Sequence, residues 1–162
     1  MKMIAAAGRN GEIGSKGRLL ASLPGDMRYF RQQTLGKTVI MGRATLESFP
    51  GGKPLPKRRN IVLSTKLGAG EGYEVCRSLE ELLELVKDEP ADQLMVIGGG
   101  RVYDLLRPYC DEALITEIGS EFDADTFIKP FSNDSDWVKA EESEPAEENG
   151  HTYRFVIYRR KG

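Results

Sequence analysis

Short, continuous apolar runs recur along this chain and predict strands. They occupy Lys2–Ala7, Thr38–Met41, Asn60–Ser64, Leu94–Ile97 and Glu112–Ile118, and Glu74–Cys76 adds a shorter one. Apolar runs of this length are typical of strands that are covered on both faces of a parallel sheet. The chain therefore predicts a sheet whose central strands are buried.

Helical spacing follows several of these runs. Pro24 and Gly36 mark the first turn and the end of one helix. A short helix over Ala44–Ser48 follows the second strand. Ser78–Glu81 forms a capping box ahead of an apolar helical stripe, which we interpret as scaffold. A further helix follows Gly100, with Val102, Leu105 and Leu106 at helical spacing, and Pro108 ends it.

The end of the chain has a different pattern. Trp137–Ala140 and Thr152–Arg159 alternate like two antiparallel strands joined by an acidic loop, Glu141–Gly150. Strands alternating with helices, followed by terminal strands, predict an α/β fold. We expect one domain over residues 1–162, with a mainly parallel sheet, helices on both faces and an antiparallel edge.

Composition and charge narrow the function. The 162 residues, 40% of them hydrophobic and 30% charged, are typical of one globular domain. A net charge of −2 argues against a general nucleic-acid binder. Met3–Ala7 is too short for a signal peptide and no run approaches a membrane span, so we expect no membrane partner and a cytoplasmic location.

Few residues suggest metals or disulfides. Cys76 and Cys110 are far apart and fit a reducing compartment. His151 is the only histidine and is interpreted as a surface residue. Asp123–Phe127 is predicted to be a turn. Its Asp123 and Asp125 could suggest a cation site, but no further ligands follow at loop spacing, so we expect no metal.

Glycine turns are the first candidate binding features. Gly98–Gly100 ends a buried strand and precedes a helix, a geometry that offers backbone N–H groups to a phosphate. The spacing is not the G-x-G-x-x-G fingerprint. Gly42-Arg43, with Thr45, repeats the arrangement, and Ser64–Lys66 places hydroxyls and a lysine at another strand end. The alternative interpretation is a plain tight turn for the glycine segments and an exposed strand end for Ser64–Lys66.

Asp26 is the candidate for acid–base chemistry. Helical geometry places it on one face with Met27 and Phe30, so a carboxylate lies beside two apolar side chains. The alternative is that Asp26 merely complements the helix dipole in the first turn. The long polar loop Gly8–Gly17 is expected to be functional rather than a simple connection.

Several motifs, in this order and spacing, together resemble one known family over almost the whole chain. They are Ile4-Ala5-Ala6, Ile13-Gly14, Leu23-Pro24-x-Asp26-x-x-x-Phe30, Val39-Ile40-Met41-Gly42-Arg43-x-Thr45-x-Glu47-Ser48, Pro54-Leu55-Pro56-x-Arg58, Asn60-Ile61-Val62-Leu63-Ser64, Val96-Ile97-Gly98-Gly99-Gly100-Arg101-Val102-Tyr103, Thr116 and Asp125-Thr126-Phe127. The chain resembles the dihydrofolate reductase family. The resemblance implies an eight-stranded, mostly parallel sheet with an antiparallel C-terminal edge strand and helices on both faces.

The resemblance also implies a reaction. This is the NADPH-dependent reduction of 7,8-dihydrofolate to tetrahydrofolate, in support of one-carbon and thymidylate metabolism. Hydride passes to C6 of the pterin and a proton to N5. Dihydrofolate and folate analogues are the implied ligands, and we expect a monomer.

The resemblance assigns roles residue by residue. Asp26 is the implied catalytic residue, which hydrogen-bonds the pterin. The implied substrate-binding residues are Ile4, Ala5, Met27, Phe30, Ser48, Leu55, Arg58 and Thr116, of which Arg58 holds the glutamate α-carboxylate. The implied NADPH-binding residues are Ala6, Ile13, Gly14, Gly42, Arg43, Ala44, Thr45, Leu63, Ser64, Thr65, Lys66, Ile97, Gly98, Gly99, Gly100, Arg101, Val102, Tyr103 and Thr126. A cis peptide is implied between Gly98 and Gly99.

This chain departs from the family pattern at three places. Leu20-Ala21 stands where many members have Pro-Trp, which affects loop closure and the route of the proton. The loop Pro50–Lys53 is one residue longer than the common form. Ala44 replaces a basic residue found in some members.

Two other functions share part of this pattern. A reductase of riboflavin biosynthesis could have the same fold, but Asp26, Phe30 and Arg58 argue against it, because its ribosylated pyrimidine has no glutamate tail. A non-catalytic nucleotide-binding module is the second alternative, and the presence of Asp26 disfavours it.

Overall fold

Among the described residues, nine strands pair into one sheet that organises the fold. The computed structural model describes residues 1–14 and 20–162. The strands are β1 (Lys2–Ala7), β2 (Glu12–Gly14), β3 (Thr38–Gly42), β4 (Arg59–Leu63), β5 (Tyr73–Cys76), β6 (Leu94–Gly98), β7 (Glu112–Ile118), β8 (Thr126–Phe127), β9 (Trp137–Glu142), β10 (Ala146–Glu148) and β11 (His151–Arg160). The α-helices are α1 (Pro24–Thr34), α2 (Arg43–Ser48), α3 (Leu79–Leu85) and α4 (Gly100–Leu106).

The sheet confirms the predicted α/β class. Its order is β10-β11-β7-β1-β6-β3-β4-β5, and β9 also pairs with β11. Strands β1 and β3 to β7 run parallel, whereas β11 is antiparallel to β7, and β9 and β10 are antiparallel to β11. The count is nine rather than eight because the predicted acidic loop contains β10, which pairs its Ala146 with Tyr153.

Helices cover both faces of this sheet. Side chains of successive strand residues alternate between two clusters, so Ile40 belongs to one and Val39 to the other. Helices α3 and α4 contribute Leu82 and Leu106 to the first cluster. Helix α2 contributes Leu46 to the second, and α1 packs Phe30 against it.

Two segments differ from the sequence-based prediction. The polar loop predicted at Gly8–Gly17 contains β2, and the predicted turn around Asp125 contains β8, which pairs with β2. Ser15, Lys16 and Gly17 of that loop lie outside the described residues. The strands were missed because they are only three and two residues long, too short to show an alternating pattern.

The scaffold predictions agree closely with the structure. The side chain of Ser78 accepts a hydrogen bond from the Glu81 amide, as a capping box requires. Gly36 ends α1 with a φ of 76°, a left-handed conformation that favours glycine. Trp137 is buried and packs edge-on against Phe131, with ring centroids 4.7 Å apart.

Parallel strands bring their carboxyl ends to one edge of the sheet. The loops after β1, β3, β4, β5 and β6 therefore gather there. Ligands of open α/β sheets bind in the crevice at this edge. We therefore expect the functional site at this edge of the sheet.

Candidate active site

Asp26 lies in the first turn of α1, above the carboxyl end of β7. Its Oδ1 accepts a hydrogen bond of 2.5 Å from the hydroxyl of Thr116, which is 2% exposed. Burial raises the pKa of Asp26, the Thr116 hydrogen bond opposes this shift, and the nearby charge of Glu148 adds to it. The site thus holds a carboxyl group whose protonated form is favoured relative to a free aspartate.

Three tyrosines, Tyr29, Tyr103 and Tyr153, lie near enough to this carboxyl group for its charge to contribute to the raised pKa of each. The Tyr103 hydroxyl is buried and donates a 2.7 Å hydrogen bond to the Ile4 carbonyl. Tyr29 stacks on Phe155 with centroids 4.1 Å apart. Burial, with a contribution from the Asp26 charge, raises the pKa of Tyr29 to about 12. These tyrosines are therefore neutral at physiological pH and act as hydrogen-bonding or packing groups.

Strand register brings the predicted nicotinamide-side residues next to Asp26. Ala6 of β1 is directly paired with Thr116 of β7, which holds Asp26. Gly14 accepts a 3.1 Å hydrogen bond from the Asp125 amide. The ends of β1, β2 and β7 therefore lie at the same side of the sheet as the carboxyl group.

The predicted apolar substrate residues lie in different environments. Phe30 and Leu55 are partly buried and pack against the cluster that includes Val39 and Met41. Met27 is 57% exposed. Ser48 is also exposed, and its hydroxyl donates to the Thr45 carbonyl at 2.6 Å.

Arg58 is held at the far end of α1. Its Nε donates to the Pro56 carbonyl at 2.9 Å, and Nη1 donates to the hydroxyl of buried Thr34 at 3.1 Å. Burial, and then the charge of Arg31, lowers the pKa of Arg58. Two neighbouring guanidinium groups with this geometry suit an anionic ligand such as a carboxylate.

The loop that carries Leu55 and Arg58 is fixed by Asn60. Its side chain accepts from the Leu55 amide and donates to the carbonyls of Leu55 and Arg58, each at 2.9 Å. Asn60 is 2% exposed. The sequence assigned no role to Arg31, or to Asn60 although it lies in a matching motif, because their roles depend on residues that the chain brings close only on folding.

The glycine turn after β6 forms a narrow cradle. The Gly98–Gly99 peptide is cis, and Gly98 has a φ of 129°. A Cβ on Gly100 would lie 2.6 Å from the Thr126 methyl group. A Cβ on Gly98 or Gly99 would lie 3.5 or 3.6 Å from the Thr45 hydroxyl. The Gly98–Gly100 turn therefore lies next to the predicted phosphate turn that contains Thr45. The lack of side chains at Gly98 and Gly99 leaves space beside the backbone that a larger residue would fill.

A basic pocket of about 330 Å³ lies beside this cradle. It is lined by Arg43, Leu63, Ser64, Thr65, Lys66, Arg77 and Arg101. Four of these side chains are cationic and none is acidic. The lining suits a ligand with several phosphate groups.

Arg77 is the member of this pocket that the sequence analysis missed. Its Nη1 donates to the Ser64 carbonyl at 2.9 Å. Arg77 directly follows the strand Tyr73–Cys76, and β5 runs parallel to β4. The strand itself was predicted, so its carboxyl end could have indicated Arg77 had the pairing of β5 been known.

The remaining predicted residues lie in the core beneath these sites or at the surface beside them. Val102 and Ile97 are buried in the core clusters, and Ala5 packs against one of them. Ala44 is exposed at the start of α2. Ala21, which stands in place of the family's tryptophan, packs against the small cluster around Leu23.

A second cavity of about 370 Å³ lies between the ends of β7 and β11 and the segment 128–132. Its charged groups are already engaged, because Arg154 donates to Glu142 at 3.2 Å and Tyr158 donates to Glu117. None of the residues assigned to the reaction lines it. Residues predicted to bind the cofactor line the basic pocket instead.

The described part of the chain shows neither a metal-type cluster nor a membrane-spanning helix. No three histidine, cysteine, aspartate or glutamate side chains described by the structure converge as a metal site would require. Among the described helices, none is long and apolar enough to cross a bilayer. Cys76 and Cys110 are both buried free thiols.

A parallel sheet, a glycine cradle, a pocket with four cationic side chains and a half-buried carboxyl group together define an α/β protein that binds a phosphate-bearing ligand beside an ionisable group. Comparison with known proteins agrees. A family model described as "Dihydrofolate reductase" matches residues 1–160. The chain therefore belongs to the dihydrofolate reductase family, whose members are NADPH-dependent oxidoreductases.

Individual relatives show the same similarity. The chain is 42% identical over 161 residues to a dihydrofolate reductase of Haemophilus influenzae, with 98% of each chain covered. It is 35% identical to a Bacillus subtilis dihydrofolate reductase, with 99% of this chain and 95% of the relative covered. A solved Enterococcus faecalis dihydrofolate reductase, complexed with NADP(H) and RAB-propyl, gives a TM-score of 0.87 at 33% identity. That match covers 99% of this chain and 96% of the solved one.

Proposed function

We propose that this protein reduces 7,8-dihydrofolate to 5,6,7,8-tetrahydrofolate with NADPH, and so supports one-carbon and thymidylate metabolism. Hydride transfer to C6 is accompanied by protonation at N5. The observation that carries the proposal is the Asp26 carboxyl group, half-buried in the first turn of α1 and held by Thr116. Burial makes this carboxylate costly to hold in the folded state, and ionisable groups perturbed in this way are concentrated at functional sites.

Asp26 binds and polarises the pterin in this proposal. Its carboxylate accepts hydrogen bonds from the pterin amino group and ring nitrogen, and so favours the protonated form of the ring that accepts hydride at C6. Thr116 keeps the carboxylate in one orientation, since its hydroxyl donates to Oδ1. The raised pKa of Asp26 is appropriate for a group that shares a proton with its ligand.

The substrate extends from Asp26 along α1. Phe30 and Leu55 contact its rings, with Met27 at the open side. Arg58 binds the glutamate α-carboxylate, since its guanidinium is held in place by Pro56 and Thr34. Arg31 adds positive charge at the same end of α1.

The residues present fit NADPH, as the lack of side chains at Gly98 and Gly99 and the four cations of the basic pocket indicate. NADPH, when bound, supplies the hydride. The Gly98–Gly100 turn and Thr45 bind the diphosphate. Arg43, Ser64, Thr65, Lys66, Arg77 and Arg101 bind the adenosine phosphates, and Ala6, Ile13, Gly14 and Thr126 border the nicotinamide. Ala44 leaves one cation fewer than some relatives have.

The proposal includes the form in which the enzyme acts. We infer a single catalytic domain over residues 1–162 that works as a monomer in the cytoplasm. The two buried free thiols are consistent with a reducing compartment. Sedimentation at working concentrations tests the monomer, since a dimer would sediment faster.

A direct assay tests the reaction. Loss of absorbance at 340 nm should follow the addition of dihydrofolate to enzyme and NADPH. Asp26→Asn should abolish most of this rate, whereas Asp104→Asn, at an exposed position on α4, should not. No NADPH oxidation with dihydrofolate would refute the proposal, and oxidation with a ribosylated aminopyrimidine instead would favour the riboflavin-type alternative.

A further inference from the structure

Helix α1 begins without a cap of its own. Leu23 occupies the N-cap position and offers no side-chain hydrogen bond. The first amides of a helix lack partners within the helix and normally need one. Here the partner comes from the other end of the chain, since Glu148 Oε1 accepts from the Gly25 amide at 2.8 Å.

Glu148 is itself held in place from β11 and β10. The same oxygen accepts a 2.6 Å hydrogen bond from the hydroxyl of Tyr153, which is 3% exposed. Next to it, the Asn149 amide group donates to the Ser22 carbonyl at 2.6 Å. The hairpin formed by β10 and β11 therefore hydrogen-bonds the backbone at Ser22, just before α1, and at Gly25, in its first turn.

Gly25 makes this approach possible. A Cβ at position 25 would lie 2.3 Å from the Tyr153 hydroxyl oxygen and 2.9 Å from Glu148 Oε1. Any larger residue would push the hairpin away from the helix. Asp26 follows Gly25 directly, so the position of its carboxyl group depends on the same contact.

We propose that Glu148 is a positioning residue, which places the Asp26 carboxyl group for the substrate by capping the start of α1 with the help of Tyr153 and Gly25. This inference rests on the proposed role of Asp26. Glu148 does not contact substrate or cofactor. It acts on Asp26 only through the start of α1 and through its own negative charge.

The groups that face Asp26 make the charge of Glu148 important. Thr116 of β7, Tyr103 of α4, Tyr153 of β11 and Tyr29 of α1 are neutral, so they contribute no full charge. Hydrogen bonds from Tyr153 and the Gly25 amide lower the pKa of Glu148, and Arg28 adds to this effect. Glu148 is thus ionised at neutral pH and its negative charge opposes ionisation of Asp26.

Three single variants distinguish the effect of Glu148 on the position of Asp26 from the effect of its negative charge. Glu148→Gln keeps an oxygen that accepts both hydrogen bonds but removes the charge. Glu148→Ala removes the charge and the cap. Glu147→Gln, at the exposed neighbouring position on β10, is the matched control. The measurements are the titration of the Asp26 carboxyl carbon by ¹³C NMR in ligand-free protein, assigned with Asp26→Asn, and separate KM values for dihydrofolate and NADPH.

The expected results differ for each variant. In Glu148→Gln, the Asp26 midpoint moves to lower pH while KM for dihydrofolate stays within about twofold of wild type. In Glu148→Ala, the midpoint also falls, and KM for dihydrofolate rises roughly tenfold because a small displacement of a binding group is costly. KM for NADPH changes in neither variant, and Glu147→Gln behaves as wild type.

Two outcomes would overturn the inference. One is an Asp26 midpoint in Glu148→Gln equal to that in Glu147→Gln. The other is a Glu148→Ala variant whose two KM values are unchanged or rise equally, as a merely structural role would produce. The NMR titration needs no substrate, so it tests Glu148 even if the protein proves not to reduce dihydrofolate.

Discussion

Replacing Asp26 with asparagine should make the protein more stable and less active at the same time. The side chain keeps its shape and can still accept from Thr116, but it loses its charge. Since burial dominates the raised pKa of Asp26, the folded state holds the charged carboxylate at a cost. Asparagine removes that cost, so Asp26→Asn should raise the free energy of unfolding at neutral pH.

The magnitude follows from opposing contributions. A hydrogen bond to a charged group is worth about 1.5–3 kcal/mol against about 0.5–1.5 for a neutral one, so neutralisation weakens the Thr116 contact by about 1 kcal/mol. Loss of a favourable helix-dipole contact costs about 0.3–1 kcal/mol more. Burial of a carboxylate costs several kcal/mol. We therefore expect a net gain on the order of 1 kcal/mol, or about 2–4 °C in Tm for a chain of this size.

The gain should depend on pH in a defined direction. Between the ordinary aspartate pKa of about 3.9 and the raised pKa of Asp26, the folded wild type binds more protons than the unfolded chain. Wild-type stability therefore falls as pH rises through this interval, because of this group. The advantage of Asp26→Asn is absent below the interval and complete above it.

Activity should change in the opposite sense. If Asp26 promotes protonation of the pterin, turnover at neutral pH falls by well over tenfold, which corresponds to more than about 1.4 kcal/mol of transition-state stabilisation. The deficit shrinks at lower pH, where the substrate is protonated in solution.

Unfolding midpoints and kcat/KM measured from acid to neutral pH for wild type, Asp26→Asn and Asp104→Asn check both predictions. A variant less stable than wild type at neutral pH would refute the reasoning about burial. A flat, near-wild-type activity ratio would show that Asp26 serves only the helix.

Three further predictions follow from the ligand contacts and the start of α1. Arg58→Leu should raise KM for dihydrofolate far more than for a pteridine without the glutamate tail; an equal loss with both would mean that Arg58 supports the fold. NADPH should be preferred over NADH, and Arg77→Ala, at a solvent-exposed cation, should raise KM roughly fivefold for NADPH only; equal kcat/KM for the two cofactors would contradict this. Gly25→Ala should lower Tm, although helix propensity alone favours alanine by about 1 kcal/mol, and Tyr153→Phe in the same chain should restore part of the loss in thermal unfolding; a Tm above wild type for Gly25→Ala would exclude the collision with Tyr153.

Much of the scaffold could be predicted because its signals are local. The apolar runs at Thr38–Met41 and Leu94–Ile97 are strands within a residue of the predicted bounds. The Ser78 capping box is also a matter of residues three positions apart. What the pattern cannot indicate is a strand too short to alternate, which is why β2 and β8 were missed.

In the site, too, the main functional residues could be predicted from the sequence, whereas the residues that support them could not. The resemblance to a family indicated Asp26, Arg58 and the Gly98–Gly100 turn by their motifs. It assigned no role to Asn60, although Asn60 belongs to one of its motifs, and it gave no indication of Arg77, since each acts through a contact that depends on how strands and loops pair. Nothing in the sequence distinguishes these two from other polar residues, because their contacts form only when β4 pairs with its neighbours.

Asp26 shows why a residue can be predicted when its chemistry cannot. Its hydrogen-bond donor, Thr116, is 90 residues away, and the carboxylate that shares its environment, Glu148, is further still. Protonation of Asp26 depends on burial and on these two partners, so it is a property of the packed structure rather than of the motif that contains it. A relative with the same Leu-Pro-x-Asp motif but a neutral residue in place of Glu148 would ionise this aspartate at lower pH. Two proteins of one family could thus share a motif and still differ in the pH at which Asp26 works.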